Sequence, residues 1–255
     1  MRLGTLASIL AVALVVPITA SAQDIPAGTV LPVMLSSTLD ARRDKPGRAI
    51  TGKIMQDVPL PDGRTIPRGA KVFGHIVSVQ APSAAAPSQL TLKFDEVEAK
   101  GARIPVMTHL RALASMYEVY EAKMPTNAWD DYGTSQSDWN TVQIGGAGVY
   151  RGNGQVIQDG EVVGHATDYG AVTAKLLAAP KRGCLGTSDH EQALWKFSPW
   201  ACGAYGLSDL KIVRSEQGRT AGEIVLQSTG NIHIDGGSGW LLRVGPAADG
   251  SERAN

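Results

Sequence analysis

Lys71-Val72-Phe73-Gly74-His75-Ile76-Val77-Ser78-Val79, followed after a short break by Gln89-Leu90-Thr91-Leu92-Lys93-Phe94-Asp95-Glu96-Val97, is the stretch that decides the fold class. The second run alternates apolar and polar residues at period two, which is the pattern of a strand with one buried face. Between the two runs, residues 81–88 are small and uncharged, and Pro82 and Pro87 interrupt them. This is a loop between strands, not a linker between domains. Gly101 then turns the chain, and Ala102 to Val106 makes a partner strand.

Working outward toward the N-terminus, Thr29 to Leu35 and Ala49 to Met55 are further β-rich runs. Pro61-Asp62-Gly63-Arg64 is a turn, because Pro presets the first central dihedral and Gly accepts the positive one that follows. Pro67-Arg68-Gly69 ends the next short run in the same way. Toward the C-terminus, Leu110, Leu113, Ala114, Tyr117 and Tyr120 recur at helical spacing, so a helix of three turns is expected between His109 and Pro125, with the Tyr pair packed in the core or an interface. Thr126 to Asn140 is polar and reads as a long surface loop. From Thr141 onward β patterning resumes at Val156-Ile157, Glu161 to His165, Ala171 to Leu177, Leu207 to Val213, Glu223 to Gln227 and Trp240 to Val244. Frequent Gly in these runs marks bulges or corners of a curved sheet. No period of 20 to 50 residues recurs. The expected fold is mainly β: a curved antiparallel sheet or β-barrel, one short helix, and a Gly-rich β C-terminal part.

The chain has 255 residues, 24 Lys+Arg against 24 Asp+Glu, and 43% hydrophobic residues. A charged fraction of 19% at zero net charge argues against a disordered charged tail and against a protein that lives by gripping phosphate backbones, so nucleic acid is excluded as a partner. Arg2 precedes an apolar run from Leu6 to Ile18, and Ala20-Ser21-Ala22 supplies the small residues a signal peptidase inspects. Residues 1–22 therefore read as a secretory signal cleaved before Gln23, with a periplasmic or extracellular mature protein. The apolar run is shorter than the roughly 20 residues a span needs and contains Pro17, so no stable membrane span is expected after cleavage. The rest divides into a barrel-type region, 23–125, ending in the helix, and a β-rich region, 126–255, that either forms a second subdomain or elaborates the first sheet.

Cys184 and Cys202 are the two cysteines of the chain, 18 positions apart, and export places them where disulfides persist. Their pairing is expected, and closing such a loop stabilises by about 3 kcal/mol in the chain-entropy account. A catalytic thiol would need a His in a recognisable setting; His190 shares the loop, but two Cys and one His are too few for a zinc site.

Ile25-Pro26-Ala27-Gly28-Thr29 before a strand, Lys45-Pro46-Gly47, Asp57-Val58, Ile66-Pro67-Arg68-Gly69-Ala70, Val72 and Gly74 form an ordered pattern. It resembles the TrbI-like β-barrel domain of type IV secretion and conjugation channel scaffold proteins, over about residues 25–80 and at most to 107. The resemblance implies a sharply curved antiparallel sheet and a scaffold role in the cell envelope. The C-terminal half is similar to uncharacterised secreted bacterial proteins, a likeness that implies no activity.

No motif carries an activity. In Gly145 to Gly154 the third glycine of a dinucleotide fingerprint falls on Arg151, so the run reads as tight turns between strands. His75, His109, His165, His190 and His233 show no metal-binding spacing, no Gly-x-Ser-x-Gly elbow is present, and Ser228-Thr229-Gly230 is not the Asp-Thr-Gly of aspartic proteases. Asp130, Asp131 and Asp138 gather three carboxylates without the spacing of a calcium loop. Neither a metal nor a cofactor is expected. Trp129, Tyr132 and Trp139 accompany them in a chain with 5% aromatic residues, and loops bearing such aromatics are where recognition resides. The candidate partner-binding residues are therefore Trp129, Asp130, Asp131, Tyr132, Asp138 and Trp139. The favoured function is a non-catalytic envelope protein that binds another envelope protein or a cell-wall polymer. The alternative is a secreted hydrolase of glycan or peptide bonds whose site joins the Asp-rich loop to a distant His.

Overall fold

The structure, a computed structural model, describes residues 24–124, 138–151, 154–167, 170–213 and 222–246. The N-terminal strands are β1 (Val30–Leu35), β2 (Leu39–Asp40), β3 (Ala49–Ile54), β4 (Val58–Pro59), β5 (Thr65–Ile66), β6 (Lys71–Gln80), β7 (Ser88–Ala99), β8 (Ala102–Pro105) and β9 (Thr108–Ala114). Helix α1 (Met116–Lys123) follows. Then come β10 (Asp138–Gln143), β11 (Gly146–Arg151), β12 (Gln155–Gln158), β13 (Glu161–Ala166), β14 (Val172–Lys175) and β15 (Glu191–Trp195). The last strands are β16 (Gly203–Tyr205), β17 (Leu210–Val213), β18 (Ile224–Ser228), β19 (His233–Ile234) and β20 (Gly239–Val244).

The β6–β7 hairpin is the longest pairing, as its alternation requires: Val72 faces Val97 and Ile76 faces Leu92, and all four are buried. Two register shifts, at Phe73/Gly74 and Ile76/Ser78, bend it. A bulge adds twist and curvature to the strand that carries it. At the first shift the strands approach so closely that a Cβ on Gly74 would lie 1.9 Å from the Lys93 carbonyl oxygen. Only glycine fits there.

Curvature accumulates around a ten-stranded sheet in the order β16-β9-β20-β1-β3-β6-β7-β18-β17, with β8 beside the far part of β7. The end strands β16 and β17 come against each other, so the barrel is nearly closed. Every neighbouring pair is antiparallel except β16 with β9, which makes the sheet mixed. Inside, Phe94 meets Trp240 edge-on with ring centroids 5.5 Å apart, and Trp240 donates its indole N–H to Ser238 Oγ at 3.0 Å.

The second sheet is a six-stranded meander, β10 to β15 in chain order, and β15 packs on β1. Its buried Val156, Val172, Leu194 and Phe197 share a core with Val30 of β1, Ala112 and Ala114 of β9, and Leu241 of β20. The opposite faces of the same three barrel strands, Leu31 and Val33, Leu113, Trp240 and Leu242, belong to the barrel core. A strand covered on both faces loses its alternation. That is why Val30 to Leu35 and Gly239 to Val244 read as almost continuous apolar runs.

The same physics corrects the expected helix. His109 to Ala114 is strand β9, held between β20 and β16, and α1 begins only at Met116. Leu110 and Leu113 both face the barrel core because a bulge lies between them, and leucines three apart on one side of a bulged strand imitate helical spacing. Ser115 caps α1 by accepting the Glu118 N–H, and Ser115-Met116-Tyr117-Glu118 is a capping-box sequence that marks this start. Tyr117 and Tyr120 are not core residues: they are 65% and 57% exposed, while Val119 and Ala122 make the buried face.

Cys184 and Cys202 are bonded, with Cα atoms 6.1 Å apart. The bonded segment is tied to β9 by Arg111, which is only 6% exposed. Its Nε donates to Ala201 O at 3.0 Å, its Nη1 to Gly186 O at 2.6 Å, and its Nη2 to Leu177 O. Carbonyls of an irregular segment that would otherwise be buried without donors are thereby satisfied. Among the described residues no helix is long and apolar enough to cross a membrane.

Candidate functional site

The seam between barrel and second sheet holds a cleft of about 620 Å³, within the usual range of ligand sites. Its barrel wall comes from the chain leaving β3 and from the β4–β5 hairpin. Asp57 Oδ1 accepts the Arg68 N–H at 2.7 Å, which closes the base of that hairpin and leaves both side chains on the cleft wall. Gln56, 5% exposed, reaches across the seam: its Oε1 accepts the Trp195 N–H and its Nε2 donates weakly to Thr173 Oγ1 at 3.5 Å.

Trp195 ends β15 with φ +52°, a left-handed conformation costly for a bulky L-residue. The register of β14 on β15 shifts at the same place, between Val172 and Thr173. The contortion redirects the chain so that the next residue, Lys196, lines the cleft. Lys196 is half-buried, and that burial lowers its amine pKa from the ordinary lysine value. Gly170, at φ +64°, leaves room for the ammonium, since a Cβ there would lie 2.7 Å from Nζ. Lys123, the last residue of α1, completes the cationic lining. Among the described lining residues Arg68, Lys123 and Lys196 are basic and Asp57 is acidic.

A second cleft of about 510 Å³ lies where Ala27 to Thr29 and Pro59 to Pro61 face Thr187 to Gln192. Gln192 Oε1 accepts the Val30 N–H at 3.0 Å, and Arg243 donates to Thr187 O at 3.2 Å. These contacts fasten β15 and the preceding segment to the barrel.

The histidines are spread over the surface, most of them beside a carboxylate. His75 meets Asp95 at 2.9 Å, and His165 meets Glu191 at 2.9 Å. His233 lies between Asp40 at 3.3 Å and Asp235 at 3.2 Å. Asp40 is held at about 2, chiefly by the Asn231 side-chain amide, with the Arg42 N–H and His233 adding to it. His109 is pushed down by burial and by nearby Arg243. Among the described residues no three His, Cys, Asp or Glu side chains converge as metal ligands.

Of the residues singled out in the sequence, Trp129, Asp130, Asp131 and Tyr132 lie outside the described residues, as does the signal segment. Asp138 and Trp139 do not belong to a loop: they begin edge strand β10, opposite Arg151 and Tyr150 of β11. Pairing with β11 extends the strand three residues into the polar run. Gln56, Trp195 and Lys196 escaped sequence reading, because none sits in a motif and Gln56 meets Trp195 across 139 positions. No protein-family model matches the chain, and no curated protein is similar to it.

Proposed function

We propose that this is an exported, non-catalytic cell-envelope protein with a binding or scaffold role, and that its partner seats in the cleft between barrel and second sheet. The observation that carries the reading is Trp195. A bulky residue kept in a left-handed conformation persists only where its surroundings over-determine it, and such residues concentrate at functional sites. Here the Gln56 amide holds the strained peptide from the opposite sheet, and the strain turns Lys196 into the cleft. The secretory signal in residues 1–22 and the Cys184–Cys202 bond support export. The order of Ile25 to Gly74, with its resemblance to the TrbI-like barrel, supports a scaffold role, and β1, β3 and β6 from this stretch are adjacent barrel strands.

The test is photo-crosslinking in the producing cell from Thr65 or Thr167 on the cleft lining, with Lys211 of β17 as the remote control. Recovery of one envelope protein or cell-wall polymer from both cleft positions and not from Lys211, in the periplasmic or secreted fraction, is the expected result. A cytoplasmic protein with residues 1–22 still attached, or crosslinks indifferent to position, would refute the reading.

A further inference from the structure

Resting on the cleft reading just given, we propose that the ligand enters the cleft through an anionic oxygen group, carboxylate or phosphate, and that Lys196 is the residue selecting for that charge. Among the described lining residues, Lys123 and Lys196 are cations beside one carboxylate, Asp57, one oxygen of which accepts the Arg68 N–H. Among the described residues neither Lys196 nor Lys123 has a carboxylate within ion-pair distance. A half-buried ammonium without a counter-charge is costly, and the left-handed Trp195 before it holds the chain where Lys196 lines the cleft. An incoming anion removes that cost. Its attraction is strengthened by partial burial, as charge-assisted hydrogen bonds are in water-poor surroundings. The lowered amine pKa of Lys196 agrees, since a bound anion would restore it toward the ordinary value. Thr65, Thr167 and Thr173 add hydroxyls to the lining, which suits a ligand that is polar beyond its charge.

The experiment is calorimetric titration of the mature chain with three probes: inorganic phosphate, a galacturonic acid trimer, and the fully methyl-esterified trimer. Binding of phosphate or of the acid trimer without binding of the ester supports the proposal, and which of the two binds identifies the source of the anion. Lys196→Met should then weaken binding at least tenfold with an unchanged or raised melting temperature, while Lys211→Met changes nothing. An ester that binds as tightly as the acid, or a Lys196→Met protein that binds as tightly as the parent, overturns the anion assignment. In either case loss of binding in Thr167→Trp, which fills the cleft rim, keeps the cleft itself as the site. Retained binding in Thr167→Trp overturns both the proposal and the cleft reading. Failure of both anions to bind overturns the anion assignment alone, the cleft then standing on its crosslinks.

Discussion

Replacing Arg111 by Ala is the most exacting test of how the irregular half of the protein is held. Arg111 is 6% exposed and donates to the carbonyls of Gly186 and Ala201, inside the segment closed by the Cys184–Cys202 bond, and of Leu177, before it. Each buried acceptor left without a donor costs about 1–3 kcal/mol. The three together would exceed the worth of any one contact, but water entering the vacated volume and the relief of a buried guanidinium offset part of the loss. The expected net is about 3–5 kcal/mol, a large share of the roughly 5–15 kcal/mol that holds an ordinary domain together. At about 2–4 °C per kcal/mol for a chain of this size, the melting temperature should fall by about 6–20 °C. Arg111→Lys should recover part of this, since one ammonium cannot span three separate carbonyls in the guanidinium's fixed fork. Urea unfolding followed by far-ultraviolet circular dichroism measures the difference directly. A loss below about 1 kcal/mol for Arg111→Ala would refute the reasoning, because it would mean that water serves those carbonyls as well as the arginine does.

The bond and the arginine fasten the same segment, so removing both should depart from additivity; Cys184→Ser with Cys202→Ser alone should cost about 3 kcal/mol, and non-reducing peptide mass spectrometry that finds both thiols free would remove its premise. Gly74→Ala should cost about 3 kcal/mol or more, read by the same urea titration, because its Cβ would run into the Lys93 carbonyl; a neutral outcome would deny the close approach at the bulge. Asn231→Ala should raise the Asp40 pKa from about 2 toward the ordinary carboxylate value, seen by carbon-13 NMR of the carboxyl. Asp40 titrates lower folded than unfolded, so its stabilisation is present above the unfolded value of 3.8 and lost as pH falls toward about 2; the variant's acid unfolding should be shallower in that window, and an unshifted carboxyl would deny the role of Asn231.

The β6–β7 hairpin was legible because its two strands bury one face each, and period-two alternation survives wherever that holds. The disulfide was legible because two cysteines in a chain that reads as exported have one partner each. β9 was not, because its environment, not its residues, makes it a strand: Leu110 and Leu113 fill the barrel while Ala112 and Ala114 fill the second core, and a segment apolar on both faces carries no period that separates strand from helix. The local signal that would have corrected the boundary was the cap, Ser115 with Glu118, which says where a helix starts independently of what it buries.

The cleft was illegible for a deeper reason. Aromatic and acidic side chains concentrated in Thr126 to Asn140 attract attention because they are close in sequence, whereas the cleft assembles single residues that are ordinary where they stand. Gln56 follows β3, Trp195 ends β15, Lys123 ends α1, and Arg68 follows β5. What brings them together is that β1, β9 and β20 are shared by two cores, which fixes the second sheet against the barrel and leaves a seam beside it. A site built on such a seam depends on the strands that carry both cores rather than on any motif. Substitutions of Val30, Ala112 or Leu241, none of which lines the cleft, should therefore alter its shape as surely as changes in the lining itself.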